Sequence, residues 1–421
     1  MRRSTPTRTL TLCLLAGLAI SRLGCLATLP AGSFAGLQSE CRPEFPDHDG
    51  WYGADAAYSV PLSIDGGRVS LWLFGDSFVQ RPYTPIGRSY PFVHNTVGIS
   101  HCEAGGAWKL ETFWHRDEGG TPRAFFEPDP DADWVRQAVA RAAGKTDVLP
   151  YYWLFDGFIA HDVLFIGLLR VDHSEPRGPF NLPFRLAGMD LARIENYRDA
   201  PPNWRIRIST LSDDRDAFPG SAFVVTKSHL HAFAFFDRGD GRTPRMLSRL
   251  DLEALKDWQP DLSQALEYLA SDSKWRHGFE PDKAKIVMQD DASEMSVHFE
   301  PRSKRWIAIY SSPSQTGGAR TTMTIRYRTA AALAGPWSKP EKLVSIPETA
   351  SGHPLDVDGN LVCYAAKAHP QFSSSRELLV TYVCNLFAED ATQVPMILER
   401  LRERVDLYRP QAIPVSMPPL K

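Results

Sequence analysis

Trp51-Tyr52-Gly53-Ala54-Asp55-Ala56-Ala57-Tyr58-Ser59-Val60, a turn at Asp65-Gly66-Gly67, and Leu71-Trp72-Leu73-Phe74-Gly75-Asp76 together read as two strands of one hairpin. The apolar-aromatic run of its second strand returns as Val163-Leu164-Phe165-Ile166-Gly167 and His231-Ala232-Phe233-Ala234-Phe235-Phe236. It returns again as Trp306-Ile307-Ala308-Ile309-Tyr310 and Leu378-Leu379-Val380-Thr381-Tyr382. The runs lie roughly 65–90 residues apart, and long-period recurrence of one supersecondary unit marks a propeller or solenoid. That period suits a four-stranded blade with generous loops. Segments carrying an acid or a serine precede the first four runs. They are Asp55-Ala56-Ala57-Tyr58-Ser59-Val60, Phe155-Asp156-Gly157-Phe158-Ile159, Gly220-Ser221-Ala222-Phe223-Val224 and Ser293-Glu294-Met295-Ser296-Val297-His298. The expected fold is all-β, a five-bladed β-propeller with short helical insertions and a C-terminal helix. The leading segments become the innermost strands, which brings Asp55, Asp156 and Glu294 to one funnel despite their separation in sequence.

The 421 residues are 43% hydrophobic and 11% aromatic, enough to bury a sizeable core and too apolar for a disordered chain. A net charge of −3, with no basic stretch, argues against nucleic acid as a partner. No low-complexity tract or linker divides the chain. The expected organisation is an irregular lead-in at 26–50, one propeller at 51–387, and a helix with a tail at 388–421, in a monomer.

Arg2, Arg3 and Arg8, an apolar stretch from Leu10 to Ile20, and Leu23-Gly24-Cys25 outline a signal peptide over residues 1–25. The apolar stretch is too short to remain as a membrane span. Leu23-Gly24-Cys25 resembles the end of a bacterial lipoprotein signal, whose cysteine becomes the acylated first residue, although Arg22 departs from that pattern. The expected location is periplasmic, cell-surface or secreted, with membrane attachment through an acylated Cys25 left open. In an exported chain Cys41, Cys102, Cys363 and Cys384 allow three pairings. Cys363 with Cys384 would bridge one blade and Cys41 with Cys102 would tie the lead-in to blade one; four unpaired buried thiols are the alternative.

Trp134, Val135, Ala138, Val139 and Ala142 give Asp131 to Ala143 a helical pattern, inserted between blades one and two. A second helical patch from Leu252 to Leu269 contains Pro260, which divides it into two short helices. A last helix, around Gln393 to Leu407, is expected to brace the closed ring.

Carboxylates on innermost strands face a narrow, partly desolvated cavity and repel one another, so one of them should stay protonated near neutrality. Cleavage of a glycosidic bond needs that division, an acid for the leaving oxygen and a base or nucleophile opposite it. Asp55 and Glu294 are the expected pair, Glu294 as general acid and Asp55 as base or nucleophile, with Asp156 as the orienting third acid. The structural alternative is that Asp55 and Asp156 cap strands or bond turn amides. Trp51, Tyr52 and Tyr58 cluster near Asp55, and Tyr151, Tyr152 and Trp153 precede Asp156. Such rings suit the C–H faces of sugars and equally the core of any β-rich protein. Tyr58, Asp76 and Trp153 are the expected substrate contacts.

Leu73-Phe74-Gly75-Asp76-Ser77 looks like the Gly-Asp-Ser block of GDSL-type esterases. No histidine stands three residues after an aspartate to serve that serine, and a nucleophile without its base is inert. A Gly-x-Ser-x-Gly elbow is absent as well. His229-Leu230-His231 places two imidazoles on one strand face, but nothing nearby completes a transition-metal site. The gathered carboxylates leave calcium open, although no loop spells an EF-hand; no other cofactor is expected.

Three phrases carry a family resemblance. Trp51 to Val60 with Leu71 to Asp76 resembles the opening of domain-of-unknown-function family 4185, and Ser293 to Val297 with Arg305 to Tyr310 resembles its fourth blade. Arg328-Thr329-Ala330 through Gly335-Pro336-Trp337-Ser338 resembles a blade-closing phrase of glycoside hydrolase family 43 and related furanosidases. The resemblance implies a five-bladed propeller with Asp55 as the first-blade acid and Glu294 as a later-blade acid. The family 43 pattern has a further acid at the start of a middle blade, where this chain has Ser221. The first expectation is therefore an exported glycoside hydrolase acting on a polysaccharide, with furanose residues among its possible targets. The alternative is a non-catalytic propeller that binds glycan or protein on its funnel face.

Overall fold

The computed structural model describes residues 36–79, 92–142, 149–172, 184–238, 242–290, 292–314, 322–349, 361–374, 376–386 and 394–418. Residues 1–25, read from the sequence as a signal peptide ending at Cys25, lie outside the described residues.

Each apolar run is the second strand of its own antiparallel sheet, and there are five such sheets. Blade one orders Gly53–Leu62, Val69–Phe78, Thr96–Cys102 and Trp108–Phe113, with the short Phe92–Val93 also pairing with its second strand. Blade two orders Tyr151–Ala160, Val163–Asp172, Arg185–Ile194 and Ile206–Ser212. Blade three runs Ala217–Val225, His229–Phe236, Arg245–Asp251, Glu267–Leu269 and Trp275–His277, with Ile286–Met288 also on its third strand. Blade four orders Ser296–Glu300, Arg305–Ser314, Thr322–Ala330 and Glu341–Ser345. Blade five consists of Leu361–Ala368, Glu377–Leu386 and Gln411–Ser416. Second strands are flanked by partners within the sheet and covered by blades on both faces, so they read as continuous apolar runs rather than alternating ones. Val163–Asp172 is buried along its whole length.

The first strands form the ring. That of blade one packs against those of blades two and five, and the circle runs on through blades three and four. Its seam lies between blades one and five. Gln38 of the lead-in donates to Gly67 O and Ser70 Oγ, both at 2.9 Å, while the Gln38 amide donates to Gln371 O. Beneath this, buried His369 joins Ser59 of blade one at 2.6 Å to Thr381 of blade five at 2.7 Å. Burial holds the imidazole neutral, pushed down to about 3. The last strand of blade five comes from residues 411–416, beyond residue 387 where the sequence reading ended the propeller.

The insertion between blades one and two is a helix, Asp133–Arg141. Residues 252–269 hold two 3-10 turns, Leu252–Leu255 and Ser263–Ala265, and then a strand from Glu267, in place of the two short helices expected. The C-terminal helix, Val394–Glu403, passes into a 3-10 turn, Val405–Tyr408. Leu401 and Leu407 join the blade-five core, and Tyr408 is buried toward the axis.

All four described cysteines are paired. Cys41–Cys102 staples the lead-in to blade one, and Cys363–Cys384 links register partners on the first two strands of blade five. The loops closed span 61 and 21 residues, which loop-closure entropy converts to about 4 and about 3 kcal/mol. Replacing each pair by serines should lower the urea-unfolding free energy by up to these amounts, the larger loss falling on Cys41–Cys102. Equal midpoints for the variants and the wild type would show that neither bridge matters to stability.

Candidate active site at the propeller axis

Four of the five first strands carry a register break at the same depth. Pairing skips around Asp55 in blade one, between Leu154 and Gly157 in blade two, between Pro219 and Ala222 in blade three, and between Tyr364 and Lys367 in blade five. A bulge re-aims a side chain that regular pleating would leave within the stack. The residues in or beside the breaks are Asp55, Asp156, Ser221 and Lys367. In blade four the strand begins at Ser296, and Glu294 stands just before it. Ala56, Ala57 and Ala365 adopt left-handed φ of 67°, 58° and 58°. Such a conformation costs an alanine about 1–2 kcal/mol, so the surrounding contacts must hold these bends in place.

Asp55 is enclosed by hydroxyls and acids. Tyr364 donates to its Oδ2 at 2.8 Å, and the Tyr408 hydroxyl also hydrogen-bonds to it. A methyl group on Gly75, across the bulge, would collide with this carboxyl group and push it aside, so glycine there keeps Asp55 in place. Burial, then the charges of Asp76 and Glu294, push Asp55 up to about 8, against the pull of the two tyrosine hydroxyls.

Glu294 has a cation instead. Lys367 Nζ lies 2.8 Å from Glu294 Oε1 and also donates to Ala56 O at 2.7 Å and Ala365 O at 3.0 Å. It sits 4.1 Å from the centre of the Tyr58 ring. The lysine side chain is 1% exposed and that of Glu294 14%. Burial lowers Lys367 below the ordinary lysine range, while Glu294, Asp55 and Asp156 hold it up. Glu294 is thus bonded directly to this ammonium group, while Asp55 and Asp156 act on it through their charge.

Asp156 ties blade two to blade three by accepting from the amides of Gly157 and Phe223, each at 2.8 Å. Burial nevertheless pushes it up to about 7. These amide bonds are the turn-bonding role weighed from the sequence, and Asp156 combines it with a place beside Lys367. Ser221, at the position of the missing third acid, donates to Ser293 O at 2.6 Å and accepts from Tyr58 Oη on its carbonyl at 3.2 Å. Tyr58 is 2% exposed and packs against Phe155, which makes it part of the wall under Lys367 rather than an open sugar platform.

Asp76 and Trp153 meet each other. Trp153 Nε1 donates to Asp76 Oδ1 at 2.9 Å, and His94 Nδ1 lies 3.1 Å from the same oxygen. His94 stacks on Tyr151 with ring centres 3.4 Å apart, and Phe184 meets the Trp153 face edge-on. Ser77, the serine of the esterase-like block, is buried and bonded to Gly75 O and Thr96 Oγ1. Among the described residues, the one clustering of ligand-type atoms is Glu348 with Cys363 and Cys384, and the two sulfurs are already joined as a disulfide. His231 is pushed down to about 4 by burial and the nearby His229, which suits a neutral packed histidine.

Residues 45–417 match the family model described as Domain of unknown function (DUF5005), nearly the whole described ring. The chain belongs to the DUF5005 family. The five-bladed ring expected from the resemblance to family 4185 is the one described above, and DUF5005 is the family whose model matches. Among solved structures, this DUF5005 propeller is similar to a protein from Bacteroides ovatus ATCC 8483 described as a hydrolase by assignment. That likeness has a TM-score of 0.59 and 17% identity, over 87% of this chain and 86% of that one. At that identity it shows the fold alone. An endo-arabinase from Bacteroides thetaiotaomicron VPI-5482 aligns with a TM-score of 0.42 and 12% identity, over 94% and 99% of the two chains. An exo-1,5-alpha-L-arabinanase from a bovine ruminal metagenomic library gives 0.45 and 10%, over 89% and 96%. No functionally curated protein matches the sequence.

Sequence reading missed Lys367, Tyr364, Tyr408 and His94. The first two belong to the leading strand of blade five, Leu361–Ala368, which carries no acid to draw attention. Tyr408 follows a helix and carries no motif. The usable signal was the position of residues 361–368 immediately before the fifth apolar run.

In the DUF5005 fold both aspartates have raised folded values, so their protonated forms favour the native state. That contribution is complete below the ordinary aspartate value of 3.8 and is lost as pH rises through about 7 for Asp156 and about 8 for Asp55. Asp55→Asn should unfold at higher urea than the wild type at pH 9 and lose that advantage at pH 5; Asp156→Asn also loses the acceptor for one of its two amides, so it should be destabilised at pH 5 by more than at pH 9. A stability difference independent of pH would show that these carboxyl groups are not held protonated.

Proposed function

We propose that this protein hydrolyses a glycosidic bond in a polysaccharide outside the cytoplasm, using Asp55 and Glu294 as the reacting carboxyl pair with Asp156 beside them. The observation that carries this reading is the convergence of acids from blades one, two and four around Lys367, with different environments for the two members of the pair. Pairs of carboxyl groups whose surroundings push their protonation apart are what acid/base cleavage of an acetal requires. Trp153 and His94, both only partly buried beside Asp76, supply flat faces where a sugar ring could rest. The two disulfides support an oxidising compartment and so the export read from residues 1–25. Attachment through Cys25, a monomeric state and a furanose-containing target belong to the same proposal.

One observation favours a second reading, a glycan-binding propeller without catalysis. Lys367 already engages Glu294, and both oxygens of Asp156 already accept amides, as in an internal brace. Reducing-sugar release from arabinans, fructans, xylans and bacterial wall polysaccharides separates the two readings. The wild type should release sugar from at least one, and Asp55→Asn and Glu294→Gln should each lose about 100-fold or more. Binding by calorimetry with no release from any of these polymers would favour the second reading, and release unaffected by both substitutions would reject the chosen pair.

A further inference from the structure

Lys367 distinguishes the two carboxyl groups. An ammonium group has three protons, and all three are placed here, on Glu294 Oε1, Ala56 O and Ala365 O. One carboxylate alone therefore receives the cation. Asp55 is hydrogen-bonded to the hydroxyls of Tyr364 and Tyr408 and feels the charges of Asp76 and Glu294, with Tyr151 in the same field. Glu294 faces Lys367 and Asp55, with Tyr58 and Tyr364 around it. A tyrosine hydroxyl can either donate or accept, so the Asp55 surroundings tolerate a protonated carboxyl group, whereas a protonated Glu294 would leave a buried cation without its counter-charge.

We propose that Lys367 is a positioning residue that holds Glu294 as the carboxylate of the pair and leaves Asp55 as the proton donor. This reverses the roles expected from the sequence and rests on the hydrolytic reading above. The elevation of Asp55 to about 8 agrees with it. In the reaction, Asp55 gives its proton to the glycosidic oxygen as the C–O bond breaks, and the bonding pair stays with that oxygen. A water oxygen bonds to the anomeric carbon and passes a proton to the Glu294 carboxylate. Solvent then returns a proton from Glu294 to Asp55, so one water is consumed and both groups are restored. Lys367 touches no reacting atom and acts through the charge state of Glu294.

Carboxyl carbon NMR of the full chain labelled at aspartate and glutamate side chains, assigned with Asp55→Asn and Glu294→Gln, reads the charge states without a substrate. The wild type should show protonated Asp55 and ionised Glu294 at pH 6–7, and Lys367→Met should bring a protonated Glu294 signal into that window. Since Lys367→Met also removes three hydrogen bonds, the wild-type spectrum decides alone if that variant does not fold. An ionised Asp55 beside a protonated Glu294 would overturn the proposal. The kinetic arm uses methyl and 2,4-dinitrophenyl α-L-arabinofuranosides and β-xylosides. Dinitrophenolate leaves without a proton, so Asp55→Asn should lose less than about tenfold on those substrates and about 100-fold or more on the methyl glycosides. Glu294→Gln should lose about 100-fold or more on both. The opposite pattern would overturn the assignment alone. A wild type that turns over none of these glycosides and none of the polymers, with the NMR states as expected, would reject the hydrolytic reading and the roles with it.

Discussion

A single ammonium group on the axis of the ring, that of Lys367, joins three of the five blades. It reaches the backbone of blade one at Ala56, the acid of blade four at Glu294 and the carbonyl of its own strand at Ala365. Two of those acceptor carbonyls belong to alanines held at positive φ. The bends that aim Asp55 and Lys367 inward are thus fastened by the charge that the same bends bring to the axis. Removing one partner of a buried pair leaves the other uncompensated, which costs more than the pair contributes. The centre of this propeller therefore behaves as one unit, in which backbone strain, burial and charge depend on each other.

The outer architecture is far more ordinary. Apolar second strands stack between blades, and the seam between blades one and five is closed by the lead-in, a disulfide and the Ser59–His369–Thr381 chain. Buried His369 is neutral and fully bonded, so it stabilises the seam without adding charge next to Lys367. This scaffold holds acids whose burial makes their ionised forms unfavourable. Native proteins commonly give up stability at such a site, and groups with raised values gather where chemistry or binding needs them.

Much of the fold was legible because its signals are local. Five runs with the same composition announced five second strands, and the polar segments before four of them announced the inner strands. The acids Asp55, Asp156 and Glu294 could be chosen from those segments, and the cysteine pairs could be named as one option. The site residues of the fifth inner strand went unread because a lysine and a tyrosine in an apolar context resemble those of any half-buried strand. The end of the propeller was placed too early because the chain leaves blade five for a helix and returns for its last strand at 411–416.

The sequence by itself determined the number of blades, the second strand of each and the acids on the segments leading into them, since strand periodicity and turn chemistry act between near neighbours in the chain. Only the tertiary structure decided which acid meets a cation, which stays among hydroxyls, and which braces two blades through amides. Those outcomes depend on groups brought within hydrogen-bonding distance from different blades, and a carboxyl group's charge is set by that company rather than by the residues beside it in sequence.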